Sequence, residues 1–265
     1  MKRIFTALML IGLISVVLLW MPKWVFDAML ILVVILGLNE FFGLMAANDS
    51  FCKATGMIFG VALTFLLVYV GPKDWLFPAL IFSVFFISML YMIYYTTTEG
   101  VPAKIGITIL GMLYLPLPLS TFSWLRGADH GRFLVVLTIS IAALGDTFAY
   151  LIGKSMGRRS LAPLISPNKT IEGFLASFVG GVLASLICWR AFDVELPVHF
   201  VVITGILGAF TGAMGDLIES LIKRSVHVKD SGNLLPGHGG MLDRVDALIF
   251  TAPLVYFLFK YLGHI

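Results

Sequence analysis

Charge is scarce in this sequence. Only 12% of its 265 residues are Asp, Glu, Lys or Arg, while 59% are hydrophobic, and the mean hydropathy is +0.99. That balance excludes a soluble domain, because apolar runs of about eighteen residues or more recur along the chain. Cysteine is almost missing. Cys52 and Cys188 stand singly in or beside apolar segments and form no Cys-x-x-Cys pair, which excludes a disulfide framework and a cysteine-built zinc site. The five histidines are scattered, and only His238 falls inside a motif. There is no low-complexity linker, no internal repeat and no room for a separate soluble domain. The net charge of +3 is small, and no nucleic-acid partner is expected.

What the sequence does contain is a succession of membrane-length hydrophobic segments. The expected fold class is all-α, a polytopic integral membrane protein of about nine transmembrane helices forming one domain over residues 1–265. The spans read as roughly 4–20, 25–45, 54–71, 76–94, 103–120, 133–153, 170–189, 198–222 and 245–262. The first follows Lys2 and Arg3, but Leu19-Trp20-Met21-Pro22-Lys23 is no small-residue cleavage site, so it reads as a retained helix. Pro116 and Pro118 are expected to kink or end the fifth span. Twelve Lys and Arg residues fall on the side of the even-numbered loops and six on the other. That asymmetry places the loops after spans two, four, six and eight in the cytoplasm. The expected location is the bacterial inner membrane.

Two polar elements interrupt the apolar background, at 144–173 and 212–246. The second is the denser: nine charged residues lie in the thirty-one positions from Asp216 to Asp246. Ionisable groups at membrane depth are costly and point to function. Asp216, Glu219, Ser220 and Lys223 are spaced i, i+3, i+4 and i+7, which is one helix face. Arg224 sits at its edge. Glycines and a proline at 236–240 break the helix, and the backbone of Gly239 and Gly240 is expected to approach a ligand closely. Asp243 and Asp246 share a face at the start of the next helix. Two acidic clusters with cations between them suit a divalent metal and phosphates. The expected metal ligands are Asp216, Asp243 and Asp246, with Mg²⁺ or Mn²⁺ as the ion. The competing reading is an interfacial loop whose cations set topology, but that leaves the acids unexplained.

In the first polar element, Asp146 lies deep in the sixth span. Gly153-Lys154-Ser155 suggests a phosphate-binding loop but lacks the required glycine at position 148, which is Phe148. The run Ser166-Pro167-Asn168-Lys169-Thr170-Ile171-Glu172-Gly173 reads as a helix start, with Ser166 as cap and Pro167 at the first helical position. Lys169 and Thr170 would then face an anion, or the segment is simply a capped helix start. Glu40, beside Asn39 late in the second span, reads as a structural hydrogen-bonding group.

The pattern Ser220-x-x-Lys223-Arg224-x4-Lys229-Asp230-x-Gly232-x2-Leu235-Pro236-x-His238-Gly239-Gly240-x2-Asp243-Arg244-x-Asp246 resembles the signature of the CDP-diacylglycerol synthases, or phosphatidate cytidylyltransferases. The segment 166–173 resembles that family's second polar element. The resemblance implies transfer of a cytidylyl group from CTP to phosphatidic acid, giving CDP-diacylglycerol and pyrophosphate. The candidate catalytic residues are then Asp146, Lys169, Glu172, Asp216, Glu219, Lys223, Arg224, Lys229, Asp230, His238, Asp243, Arg244 and Asp246. Ser166, Lys169, Thr170, Ser220, Lys223, Arg224, Lys229, Gly239 and Gly240 are candidate substrate-binding residues. The expected partners are CTP, bilayer phosphatidic acid and a second copy of the chain. A second monovalent or divalent cation is a further expectation. Two rivals stay open: an ion-coupled transporter using Asp146, Asp216 and Glu219, and an enzyme activating a different lipid phosphate.

Overall fold

The computed structural model describes residues 12, 15–18, 20–71, 73–232, 234 and 239–264. The expected first span, the turn residues 235–237 and the candidate His238 therefore lie outside the described residues or largely so.

The hydrophobic runs form helices, as they must in lipid, where every backbone N–H and C=O needs an internal partner. They are α1 (Lys23–Met45), α2 (Ser50–Tyr69), α3 (Leu76–Tyr94), α4 (Val101–Tyr114), α5 (Pro116–Leu119), α6 (Thr121–Gly127) and α7 (Gly131–Met156), then α8 (Ile171–Phe192), α9 (Val198–Ser225) and α10 (Leu242–Tyr261). Among the described residues, seven stretches are long and apolar enough to cross a membrane, with α4 to α6 counted as one. The final helix, α10, carries Asp243, Arg244 and Asp246 in its first turns, so its apolar length is shorter. The chain is an all-α polytopic membrane protein. Pro116 and Pro118 divide the span that begins at Val101 into three short helices that continue to Gly127, beyond the expected end near 120.

One expectation is corrected. Ser166 and Pro167 do not start a helix. Residues Ser166–Thr170 form strand β2, paired antiparallel with β1 (Ser160–Ala162). Helix α8 begins only at Ile171, with Thr170 as its cap: the Thr170 hydroxyl accepts the Gly173 amide at 3.1 Å. The earlier start fails because Ser166 pairs with Ala162 and Thr170 with Ser160, so tertiary pairing uses the segment before a helix can.

Successive helices run antiparallel, so one end of the bundle gathers the C-termini of α1, α3, α7 and α9 and the N-termini of α2, α4, α8 and α10. Large side chains fill the interior between α1, α2, α3 and α4, where Leu38, Phe41, Phe42, Leu67 and Tyr91 are fully buried. Helices α7, α8, α9 and α10 pack against one another in the other half. With 26 and 28 residues, α7 and α9 are about 39 and 42 Å long, more than the ~30 Å hydrocarbon core. Their polar ends carry the site.

Candidate active site

Asp216, nine residues from the end of α9, sits roughly 14 Å below that end. One turn on, Glu219 lies on the same face. Asp246, in the second turn of α10, meets them from the neighbouring helix. One oxygen from each of Asp216, Glu219 and Asp246 falls within 4.8 Å of the others, close enough to hold a metal ion. Gly215 makes this approach possible, because a Cβ there would run into the backbone carbonyl of Asp246.

Glu219 is completely buried, and its Oε1 has no hydrogen-bond partner among the described residues. A buried carboxylate oxygen left open between two other carboxylates fits a cation. Two lysines border the cluster. Lys169, from β2, places its ammonium 2.5 Å from Asp216 Oδ2. The buried Lys223 lies 2.5 Å from Glu219 Oε2 and 2.6 Å from Asp243 Oδ1. Asp146, from α7, is exposed in the isolated chain and lies within electrostatic range of Asp216 and Lys169.

The grouping differs from the expected Asp216, Asp243 and Asp246. Asp243 has other partners. Its Oδ1 takes Lys223, and its Oδ2 accepts the Ser231 amide at 3.0 Å, the Ser231 hydroxyl at 2.9 Å and the Gly240 amide at 2.8 Å. The physical reason is its place in the first turn of α10. There it reaches back to the loop amides, while Asp246, one turn later, faces α9. Glu219 takes the position in the cluster that was expected for Asp243.

A family model described as the cytidylyltransferase family matches residues 1–262. The chain belongs to that family. Phosphatidate cytidylyltransferase of Bacillus subtilis (strain 168) is 40% identical over 161 residues, which is 58% of each chain. The protein of that name from Synechocystis sp. (strain ATCC 27184 / PCC 6803 / Kazusa) is 35% identical over 283 residues, covering 97% of this chain and 95% of its own. A relative from Escherichia coli (strain K12), "Uncharacterized protein YnbB", is 31% identical over 245 residues, covering 91% of this chain and 80% of its own.

The remaining candidate residues divide by what they touch. Arg224 donates from Nε to the Ile165 carbonyl at 3.2 Å and from a terminal nitrogen to the Val228 carbonyl at 2.8 Å, tying the turn of the β-ribbon to the end of α9. Glu172 accepts the amides of Arg158 and Arg159 and so holds the approach to β1. Ser220 lies 3.5 Å from Asp216 Oδ1. Lys229, Asp230 and Arg244 are exposed at the same end of the bundle. Gly239 adopts a left-handed φ of 77°, and the Gly240 amide is spent on Asp243. The two glycines thus shape the turn that starts α10.

Sequence reasoning missed two contributors. Tyr114, on α4, is 7% exposed. Its hydroxyl has no hydrogen-bond partner among the described residues and lies within electrostatic range of Glu219, Asp246 and Asp216. Ser231 joins Glu40 to Asp243. A lone tyrosine in an apolar helix and a serine in a polar loop gave no signal of either.

Proposed function

We propose that this protein transfers the cytidylyl group of CTP to phosphatidic acid in a bacterial inner membrane, with its site on the cytoplasmic side and Mg²⁺ or Mn²⁺ at Asp216, Glu219 and Asp246. The observation that carries the reading is the convergence of those three carboxylates with Lys169 and Lys223, within a chain of the cytidylyltransferase family. Three oxygen donors without cysteine or histidine suit a hard divalent ion.

Phosphatidate already carries an anionic phosphate oxygen, so the chain needs no serine or cysteine nucleophile. That oxygen bonds to the α-phosphorus of CTP, and the bond from the α-phosphorus to the bridging oxygen breaks in line. Pyrophosphate leaves with the electron pair. Bringing two polyanions together is a task of positioning and electrostatics. Bound at the three carboxylates, the metal would supply charge compensation for the nucleotide phosphates. Lys169 exchanges its contact with Asp216 for a phosphate oxygen. Thr170, whose hydroxyl oxygen caps α8, keeps its own proton free to donate. Lys223 holds Glu219 and Asp243 apart and in place. Asp146 would offer a carboxylate to a second cation.

The test is incubation of the purified protein in detergent with CTP radiolabelled in its cytidine or α-phosphate, Mg²⁺ and phosphatidic acid. Label is expected in a chloroform-soluble product, with pyrophosphate released in equal amount. Label that stays in water, with phosphatidic acid present, would overturn the reading.

A further inference from the structure

Glu40 belongs to α1, which packs with α2 in the other half of the bundle, and its carboxylate ends at the start of α10. Oε1 accepts the Met241 amide at 2.9 Å. Oε2 accepts the Leu242 amide at 2.8 Å and lies 3.1 Å from the Ser231 hydroxyl oxygen, whose single proton it shares with Asp243. The first amides of a helix have no intrahelical partner, and here a side chain from about two hundred residues away supplies one. The helix start thereby gains a carboxylate at the positive end of its dipole. Helix α10 carries Asp246 four residues further on, and Asp243 one residue further on.

Two glycines make room for this carboxylate. A Cβ on Gly232 would lie 2.9 Å from Glu40 Oε1, 3.1 Å from Cδ and 3.4 Å from Cγ; all three nearest atoms belong to Glu40. A Cβ on Gly240 would overlap Glu40 Oε2 and the Ser231 hydroxyl. Of the two, Gly240 was expected from the sequence to make room for a ligand.

We propose that Glu40 is a positioning residue for the reaction: it fixes the first turn of α10, and with it Asp243 and Asp246, and Gly232 and Gly240 are small in order to admit it. The proposal rests on the cytidylyltransferase reading above. It reaches the chemistry only through the placement of α10.

Four variants, Glu40→Ala alone among them as the reference for the double variant, and two readouts test it. Glu40→Gln keeps the size but turns one acceptor into a donor facing a backbone N–H. Gly232→Ala leaves every acceptor in place and pushes the Glu40 carboxylate aside. Each should lower kcat about tenfold or more, the loss expected from one charge-assisted hydrogen bond, with KM for CTP changed less than about threefold. In the intact protein, deuterium exchange at the amides of Met241 and Leu242 should quicken in both variants, while exchange in α7 and α9 stays as in the wild type. The double variant combines Glu40→Ala with Gly232→Ala. It should be no slower than Glu40→Ala alone, because the methyl group then has nothing to displace. If Glu40→Gln fails to fold, Gly232→Ala decides by the same measures. Near-normal kcat with unchanged exchange at 241–242, or fully additive losses in the double variant, would overturn the proposal. A wild-type protein that labels no lipid would instead remove the activity reading and leave the exchange results to stand by themselves.

Discussion

Lys169 and Asp216 meet at 2.5 Å, one from a strand of the small β-ribbon and the other from the long helix α9. Neither is fully buried, with side-chain exposures of 29% and 27%. This ion pair joins the two polar stretches of the chain at one point. It also sets a competition, since the ammonium occupies one side of a carboxylate that forms part of the acidic cluster.

Removing the ammonium should separate charge compensation from metal affinity. Lys169→Ala is expected to slow turnover by about thirty- to a thousand-fold, or about 2–4 kcal/mol, the range for one lost charge contact to a reacting group. Asp216 would then keep its full negative charge. The Mg²⁺ concentration giving half-maximal turnover should therefore fall. Steady-state rates across a Mg²⁺ titration check both signs at once; activity within about twofold of the wild type would return the segment to a structural role.

The carboxylates should divide into two classes. Asp216→Asn, Asp246→Asn and Glu219→Gln are expected to abolish turnover and to lose bound Mn²⁺ in electron paramagnetic resonance. Asp243→Asn is expected to retain Mn²⁺ but to unfold more easily, by roughly 3 kcal/mol, because it breaks a buried ion pair with Lys223 and weakens the acceptor for Ser231 and Gly240. Chelation of metal from the wild type should stop turnover, and Mg²⁺ or Mn²⁺ should restore it. Loss of Mn²⁺ from Asp243→Asn alone would place Asp243 among the ligands instead of the other three.

At the same end of the bundle, the loop carboxylate Asp49 governs an acid-labile contact. Burial pushes its carboxyl up, but the Lys104 ammonium, the Tyr95 hydroxyl and the Cys52 amide outweigh burial and hold it at about 2, against an ordinary value of 3.8. Because the folded value is the lower one, the stabilisation is fully present above pH ~4 and is lost as the pH falls towards 2. Asp49→Asn should show a smaller difference in thermal midpoint between those two pH values than the wild type does. An unchanged pH profile in the variant would remove Asp49 from the acid response.

The distribution of Lys and Arg predicts that the end of α10 lies outside the cell. Cys52 and Cys188 are buried, so a cysteine at Leu262, which is 56% exposed, is the reactive site for a thiol probe. Leu262→Cys should react with an impermeant reagent in intact cells. Labelling only after lysis would reverse the orientation.

The sequence by itself determined the class of the protein, because a bilayer forces any long apolar run into a helix and leaves no alternative for the backbone. It also marked the chemistry. Acids and cations on one helix face at membrane depth are too costly to be incidental, and Asp216, Glu219 and Asp246 were legible as candidates for that reason. Tertiary structure alone decided which groups share a ligand and which hold one another. Asp243 and Asp246 lie three residues apart on one helix, and spacing made them equivalent; only the packing of α9 and the loop against α10 turns one towards Lys223 and the other towards Asp216. Local signals likewise favoured a helix start at Ser166, until pairing with Ser160–Ala162 claimed the segment as a strand. Glu40 is the clearest case. Nothing near it in sequence names its partners, because the amides of Met241 and Leu242 come within reach only when α1 and α10 are brought to the same end of the bundle.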